Sequence, residues 1–185
     1  TIINGGVINS FKSNAKLGKG EWAILEADES DGSFLKFPIN YSIVTNIDYE
    51  HIDYYKNYRS LEKSFIEFIN KTPPTGKSVI CIDSNNIFKI LKKIKNKNIL
   101  TYGESKKANF QIKKIKYNFD STIFDLSFKD KDKKSKIIKN IKYFLDSTTF
   151  DLSFKGKDKK RINVKNINVK LLGKHNVLNT AGAFT

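Results

Sequence analysis

The chain has 185 residues, of which 39% are hydrophobic and 12% aromatic, enough apolar material for one globular domain with a packed core. It carries 34 basic against 19 acidic residues, a net charge of +15, and no apolar run reaches the roughly 18 residues that span a bilayer. These features exclude a disordered or membrane-spanning class, and with no secretory signal pattern we expect a cytoplasmic protein.

The lysine excess is one feature of nucleic-acid-binding modules, because a basic surface attracts phosphate backbones. Lysine is spread along the whole chain, however, and only Arg59 and Arg161 are available for bidentate base contacts. A solvated lysine-rich surface explains the charge more simply, so we expect no nucleic-acid partner.

Four short apolar or β-branched runs predict buried strands, in the order EWAILEA, YSIVTN, SVICID and NILTYG. Residues 57–70 and 84–95 carry apolar side chains three and four positions apart, which predicts helices, with Ser84 as the N-cap of the second. Strands alternating with helices predict an α/β fold, a mostly parallel sheet flanked by helices. The single cysteine, Cys81, lies in the third run, and we expect a buried structural thiol.

A different pattern begins near residue 108 and continues to residue 170, where apolar and polar residues alternate. The alternation predicts half-exposed antiparallel strands, appended to the parallel sheet as a small antiparallel sheet. Residues 117–142 are followed by a near copy at residues 143–168, which predicts a tandem duplication of one hairpin. In the first copy the alternating residues are Phe124, Leu126 and Phe128 against Asp125, Ser127 and Lys129.

Acidic residues follow three predicted strands at their carboxyl ends, where open parallel sheets bind ligands. Glu26 opens the first acidic group, EADESD, His51 lies in the second, NIDYEHID, and Asp83 follows the third strand. Carboxylate oxygens with an occasional imidazole suit Mg²⁺. Acidic residues also cap helices and shape loops, so the residue types alone leave a metal site and a structural role equally open.

The last segment, LLGKHNVLNTAGAF, predicts a glycine turn and then a helix that begins near His175 and Asn176, with Asn179 on the same face as Asn176. Such a helix start can hold a planar ring, although asparagines there are more often caps. The segment PPTGKS resembles a phosphate-binding loop, but Lys71 stands where that motif needs a glycine, so we expect a turn.

Taken in order, EADESDGSFL, VTNIDYEHIDYY, PPTGKSVICID, TYG and LLGKHNVLN resemble the central ATP-binding domain of the Mur ligases, most closely the branch that adds L-alanine to UDP-N-acetylmuramate. The opening NGG and NAKLGKGEW resemble the same family. The resemblance covers residues 1–185 apart from the duplicated hairpin. It implies an ATP-dependent ligase of peptidoglycan precursor synthesis, which forms an amide bond through an acyl phosphate.

The resemblance also implies roles for individual residues. Glu26 and His51 would help hold the magnesium ions that bridge ATP phosphates and the substrate carboxylate. His175 and Asn176 would contact adenine, with Asn179 beside them in the nucleotide site.

Family members also carry an N-terminal UDP-binding domain, a GTxGKTT phosphate loop with a catalytic lysine, and a C-terminal domain, which this sequence lacks. We therefore expect a fragment without ligase activity of its own, which binds nucleotide weakly and only with magnesium. The alternatives are a basic nucleic-acid-associated module and an inert relic of a duplicated gene.

Overall fold

The computed structural model describes residues 1–117, 121–129, 135–144, 148–155, 161–169, 178–179 and 181–183. The chain divides into two compact units. Unit 1 comprises Thr1–Pro38 and Tyr49–Phe68, and unit 2 comprises Ile39–Asp48 and Ile69–Thr185. Within the described residues, no helix is both long enough and apolar enough to cross a membrane.

Unit 1 contains a three-stranded sheet, a 3₁₀ turn (Ser33–Lys36) and two α-helical segments. Its strands are β1 (Ile2–Ile8), β2 (Ser13–Lys16) and β3 (Ile24–Leu25), in the order β2-β1-β3, and its helices are α1 (Ile52–Tyr55) and the larger part of α2 (Tyr58–Lys71). We expected β3 in the parallel sheet, and this prediction was wrong, because β3 pairs with β1 instead. The N-terminal residues provide its partner: the amides of Ile24 and Glu26 donate to the carbonyls of Thr1 and Ile3, each at 2.9 Å.

The core of unit 1 is aromatic. The ring of Phe34 lies 5.6 Å from that of Phe65 and 5.0 Å from that of Phe68, measured between ring centroids. Tyr55 and Leu61 are also buried. The periodic apolar positions of α2 therefore do form a buried face, as predicted.

Unit 2 is built on an eight-stranded sheet in the order β11-β10-β9-β8-β7-β6-β5-β4. The strands are β4 (Tyr41–Val44), β5 (Lys77–Cys81), β6 (Ile99–Gly103), β7 (Phe110–Tyr117), β8 (Ser121–Lys129), β9 (Ser135–Phe144), β10 (Thr148–Lys155) and β11 (Arg161–Val169). Helix α3 (Asn85–Ile90) continues as a 3₁₀ turn, Leu91–Lys93, and connects β5 to β6. The Ser84 hydroxyl caps α3 by accepting from the Ile87 amide, as predicted.

Strands β4 to β7 pair in parallel and strands β7 to β11 pair antiparallel. The predicted α/β fold with flanking helices is confirmed, and the antiparallel strands continue the parallel sheet through β7. The predicted turn at PPTGKS is confirmed as well, since the Gly76 amide donates to the Pro73 carbonyl at 2.9 Å just before β5.

One buried core of unit 2 combines residues of β5, β6, β7 and β8 with a residue of the last helical segment. Cys81 is 1% exposed, as predicted, and its burial raises the pKa of its thiol. Gly182 packs against the ring of Tyr102, where an added Cβ would lie 2.9 Å from the ring. The buried cluster consists of Val79, Cys81, Tyr102, Ile112, Phe124, Leu126 and Ala181.

Strand β8 differs from the predicted half-exposed strand, because its polar residues are also buried. Asp125 is 8% and Ser127 6% exposed. Two lysines of β7 cover them: Lys114 Nζ lies 3.8 Å from the Asp125 carboxylate, and Lys113 Nζ donates to the Ser127 hydroxyl at 3.4 Å. Long lysine stems can lie over such a face while their ammonium groups reach water.

Candidate functional site

The acidic loop after β3 uses two of its four carboxylates to shape its own backbone. Asp28 Oδ1 accepts from the Ser30 amide and Asp31 Oδ1 from the Ser33 amide, both at 2.8 Å. The bond from the Ser30 amide lowers the pKa of Asp28, and the Ser33 hydroxyl and amide lower the pKa of Asp31. Aspartates that accept amides two residues ahead form tight turns, so these two residues have a structural role.

Glu26, the first residue of the group, makes a different contact. Its Oε2 accepts a hydrogen bond of 2.7 Å from the backbone amide of Gly5 in β1. A Cβ added at Gly5 would lie 3.2 Å from the same oxygen, so the close approach favours glycine. The amide thus orients an exposed carboxylate through one of its two oxygens.

His51 lies directly before α1 in a left-handed backbone conformation, with φ of +56°. This conformation is uncommon outside glycine and is found at sites that the surrounding structure fixes. The His51 carbonyl accepts from the amides of Tyr54 and Tyr55, each at 3.1 Å. Its Nε2 lies 3.8 Å from Glu29 Oε1 and 4.0 Å from Glu50 Oε2, so the imidazole stands between two carboxylates.

Tyr55 joins the acidic loop to the histidine. Its hydroxyl donates to the backbone carbonyl of Glu29, and its amide donates to the carbonyl of His51. Burial raises the pKa of Tyr55 to about 12, so the phenol stays protonated at neutral pH. Tyr55 could not be singled out from the sequence, because nothing in the pair Tyr54–Tyr55 shows which ring is buried.

The structure brings His51 close to Glu29 and Glu50, whereas the Glu26 carboxylate accepts a hydrogen bond from the Gly5 amide. In the part of the chain that the structure describes, no group of three or more histidine, cysteine or acidic side chains could hold a metal ion. Mg²⁺ commonly takes only one or two protein ligands and completes its six positions with water and phosphate oxygens. The described residues therefore form no all-protein metal cage, and Glu26 and His51 could each serve as one of the few protein ligands of a cation that phosphate oxygens and water complete.

The third acidic position, Asp83 in unit 2, holds a loop together. Its carboxylate accepts from the amides of Glu104 at 2.7 Å and Ser105 at 3.0 Å, just after β6. Gly103 has φ of +146°, and a Cβ there would lie 2.5 Å from Asp83 Oδ1. Asp83 therefore has a structural role: it holds the connection between β6 and β7.

Of the residues predicted to bind the nucleotide base, Asn179 is exposed on the helical residues 178–179 of unit 2. Residues 181–183 are helical as well, and there Ala181 is buried against the core. His175 and Asn176 lie outside the described residues.

Comparisons with known proteins now add an independent observation. Residues 7–138 match the Mur ligase middle domain. The UDP-N-acetylmuramate--L-alanine ligase of Pelagibacter ubique is 55% identical over 135 residues, which is 73% of this chain and 29% of that relative. The ligase of the same name from Rhodopseudomonas palustris is 42% identical over 131 residues, 71% of this chain and 28% of the relative. The chain thus spans less than a third of the length of these curated relatives.

Solved structures show the same fold at lower identity. The UDP-N-acetylmuramate-alanine ligase of Thermotoga maritima aligns with a TM-score of 0.60 and 21% identity, over 98% of this chain and 33% of that one. The UDP-N-acetylmuramate:L-alanyl-gamma-D-glutamyl-meso-diaminopimelate ligase of Neisseria meningitides aligns with a TM-score of 0.62 and 17% identity, over 98% of this chain and 50% of that one.

Proposed function

This chain belongs to the Mur ligase family, and from that premise we propose that it is part of an ATP-dependent ligase that joins L-alanine to UDP-N-acetylmuramate. The observation that carries the proposal is the match of residues 7–138 to the Mur ligase middle domain, together with 55% identity to a ligase of that name. The activity and its substrates are proposed for the whole enzyme, to which this chain contributes ATP and magnesium binding.

In the proposed reaction, a carboxylate oxygen of UDP-N-acetylmuramate attacks the γ-phosphorus of ATP, and ADP leaves. The amine of L-alanine then attacks the resulting acyl phosphate, so that an amide bond forms, phosphate leaves and the amine loses a proton. The first step brings a carboxylate against a polyphosphate, two anions that repel each other. Magnesium supplies the positive charge that offsets this repulsion.

We assign Glu26 and His51 to magnesium. The Gly5 amide fixes one oxygen of Glu26, which leaves the other oxygen to accept a cation. His51 presents Nε2 toward Glu29 and Glu50, so the imidazole is placed in a locally negative environment that attracts a cation. Two protein ligands suffice when phosphate oxygens and water complete the coordination.

We assign adenine binding to His175 and Asn176, with Asn179 beside them. What supports Asn179 is its exposed position on helical residues that are followed by Ala181 and Gly182, both packed against the core. We also propose a cytoplasmic location without a nucleic-acid or membrane partner, since ATP and the nucleotide-linked substrate are dissolved small molecules.

Calorimetric titration of ATP into the chain, with and without Mg²⁺ at physiological salt, tests these assignments. We expect binding that requires Mg²⁺, and an affinity at least about tenfold weaker in Glu26→Gln, which keeps the Gly5 hydrogen bond but loses the charge. Glu21→Gln is the matched control, because Glu21 is an exposed acidic residue of the same unit. This variant should bind ATP with the affinity of the wild type. Equal affinity in Glu26→Gln and wild type would overturn the assignment of Glu26.

A second titration separates the ligase proposal from the nucleic-acid alternative. A nucleic-acid module would bind duplex DNA with an affinity that falls steeply with salt. We expect no such binding at physiological salt. A folded chain that binds duplex DNA and does not bind ATP would contradict the proposed function.

A further inference from the structure

The duplicated segment repeats in its strand pairing as well as in its sequence. Residues 117–141 and 143–167 are identical at 17 of 25 positions with an offset of 26 residues. Strand β8 pairs antiparallel with β9, and β10 pairs antiparallel with β11, so each copy forms one hairpin.

The two hairpins have the same register at every pair that the structure describes in both of them. Adding 26 to the residue numbers of these β8–β9 pairs gives the β10–β11 pairs: Phe124↔Ile141 becomes Phe150↔Ile167, and Phe128↔Lys136 becomes Phe154↔Ile162. The register also shifts at the same point, between Phe124 and Leu126 in one hairpin and between Phe150 and Leu152 in the other. Register is set by the side-chain pattern and the turn, so this agreement shows that both copies specify the same hairpin.

The offset extends to the strand that precedes each hairpin. In the first copy, Lys116 of β7 pairs with Ile123, and Tyr117 pairs with Thr122. In the second copy, Lys142 of β9 pairs with Thr149, and Tyr143 pairs with Thr148. Strand β9 therefore presents to β10 the same edge that β7 presents to β8.

The residue types that close the core in the first copy recur in the sequence of the second copy. Phe124 and Leu126 are fully buried in the cluster around Tyr102, and the lysines of β7 cover Asp125 and Ser127. At the equivalent positions of β10 the sequence has Phe150, Asp151, Leu152 and Ser153. The family match ends at residue 138, so it includes most of the first copy and none of the second.

From these observations we propose that the two hairpins are interchangeable partners of β7. The chain then has a second pairing, in which β10 takes the place of β8 beside β7, and strands β8 and β9 leave the sheet. The exchange keeps the hydrogen bonds to β7 and refills the core with Phe150 and Leu152. It loses the pairing between β9 and β10 and replaces Ile123 by Thr149, so the exchanged form is the minor one.

Pairs of introduced cysteines in the full chain report which hairpin lies beside β7. Lys116→Cys with Ile123→Cys matches the observed pairing, and Lys116→Cys with Thr149→Cys matches the exchanged one. Lys116→Cys with Ser153→Cys is the control, because Ser153 would lie opposite Gln111 in the exchanged form, too far for a disulfide. Cys81 is buried and does not compete.

Under a glutathione buffer at low protein concentration, we expect the cysteine pair at positions 116 and 123 to link fastest. The pair at 116 and 149 should link within one chain at least about tenfold faster than the control pair, as mapped by mass spectrometry. A rate no higher than that of the control, or links only between chains, would overturn the proposal.

Substitutions of two phenylalanines then test which residue stabilises each of the two pairings. Phe124→Ala should accelerate linkage between positions 116 and 149, because it destabilises the observed pairing alone. Phe150→Ala should slow the same linkage, because it destabilises the exchanged pairing. If Phe124→Ala prevents folding, Phe150→Ala still tests the proposal. An unchanged linkage rate in Phe150→Ala would contradict the interchangeability of the two hairpins.

Discussion

The hydroxyl of Tyr55 donates a hydrogen bond to the backbone carbonyl of Glu29, while its amide holds the carbonyl of His51 at 3.1 Å. A single residue, 3% exposed, thereby contacts both the acidic loop and the residue before α1. Across this connection His51 Nε2 lies 3.8 Å from Glu29 Oε1.

Tyr55→Phe removes the hydroxyl and leaves the Glu29 carbonyl without this donor. We expect the free energy of unfolding to fall by about 1 kcal/mol, the usual net value of such a hydrogen bond. We also expect weaker Mn²⁺-induced broadening of the His51 imidazole signals in NMR spectra. Tyr54→Phe is the control, since Tyr54 is exposed. Equal stability of Tyr55→Phe and wild type would show that the hydroxyl contributes nothing.

The same tyrosine predicts a loss of stability at alkaline pH. Burial raises the pKa of Tyr55 from 10.0 to about 12. The folded state therefore holds the phenolic proton where the unfolded state has released it, so this contribution to stability is intact below pH 10 and is lost as the pH rises toward 12. Denaturant unfolding of wild type and Tyr55→Phe across this range isolates the effect. We expect the difference in stability between them to shrink, and a constant difference would contradict the assignment.

Gly103 is expected to tolerate no side chain. Gly103→Ala would place a Cβ 2.5 Å from Asp83 Oδ1 at a φ of +146°, so we expect a loss of more than about 2 kcal/mol in the free energy of unfolding. Gly20→Ala is the matched control, because a Cβ there meets nothing within 4 Å. In an Asp83→Ala background, Gly103→Ala should cost less, since the nearest clashing atoms are gone. A cost equal in both backgrounds would locate the strain in the backbone alone.

A buried hydroxyl network links Thr72, the residue after α2, to β4 and β5. Ser78 Oγ donates to Thr72 Oγ1 at 2.9 Å, and Ser42 Oγ donates to Ser78 Oγ at 3.0 Å. Ser78→Ala leaves buried partners unsatisfied, so we expect a loss of about 1–3 kcal/mol, measured by denaturant unfolding. Ser78→Ala combined with Thr72→Val should cost less than the sum of the single changes, because the second change removes one orphaned partner. Strict additivity would mean that the hydroxyls act independently.

The regular elements of the fold could be predicted from local patterns. The three- and four-residue spacing in α2 and the apolar runs of β4 to β6 are properties of the segments themselves. The partner of β3 could not be predicted, because a strand of two residues has no periodicity and its pairing depends on Ile2 and Ile3 far away in sequence. The burial of Asp125 on β8 was also out of reach, since it depends on Lys114 of the neighbouring strand.

The sequence predicted which residues lie in the candidate site, but it did not predict the contact that each of them makes. The acidic group and His51 were singled out from the sequence. The sequence does not show, however, that Asp28 and Asp31 accept from serine amides, whereas Glu26 accepts from the Gly5 amide. Those differences arise from backbone conformation. The roles of Glu26, His51, His175, Asn176 and Asn179 in ligand binding stay predictions.

The identical register of the two hairpins has a consequence for how this sheet can grow. Strands are about 4.8 Å apart, so each 26-residue repeat widens the sheet by two strands, about 10 Å. Because two antiparallel strands return the chain to its original direction, the strand that leads toward residues 178–183 keeps the same polarity whatever the number of repeats. A whole repeat can therefore be gained or lost without reversing the direction of the chain. Each such duplication or deletion would change the width of the sheet by two strands.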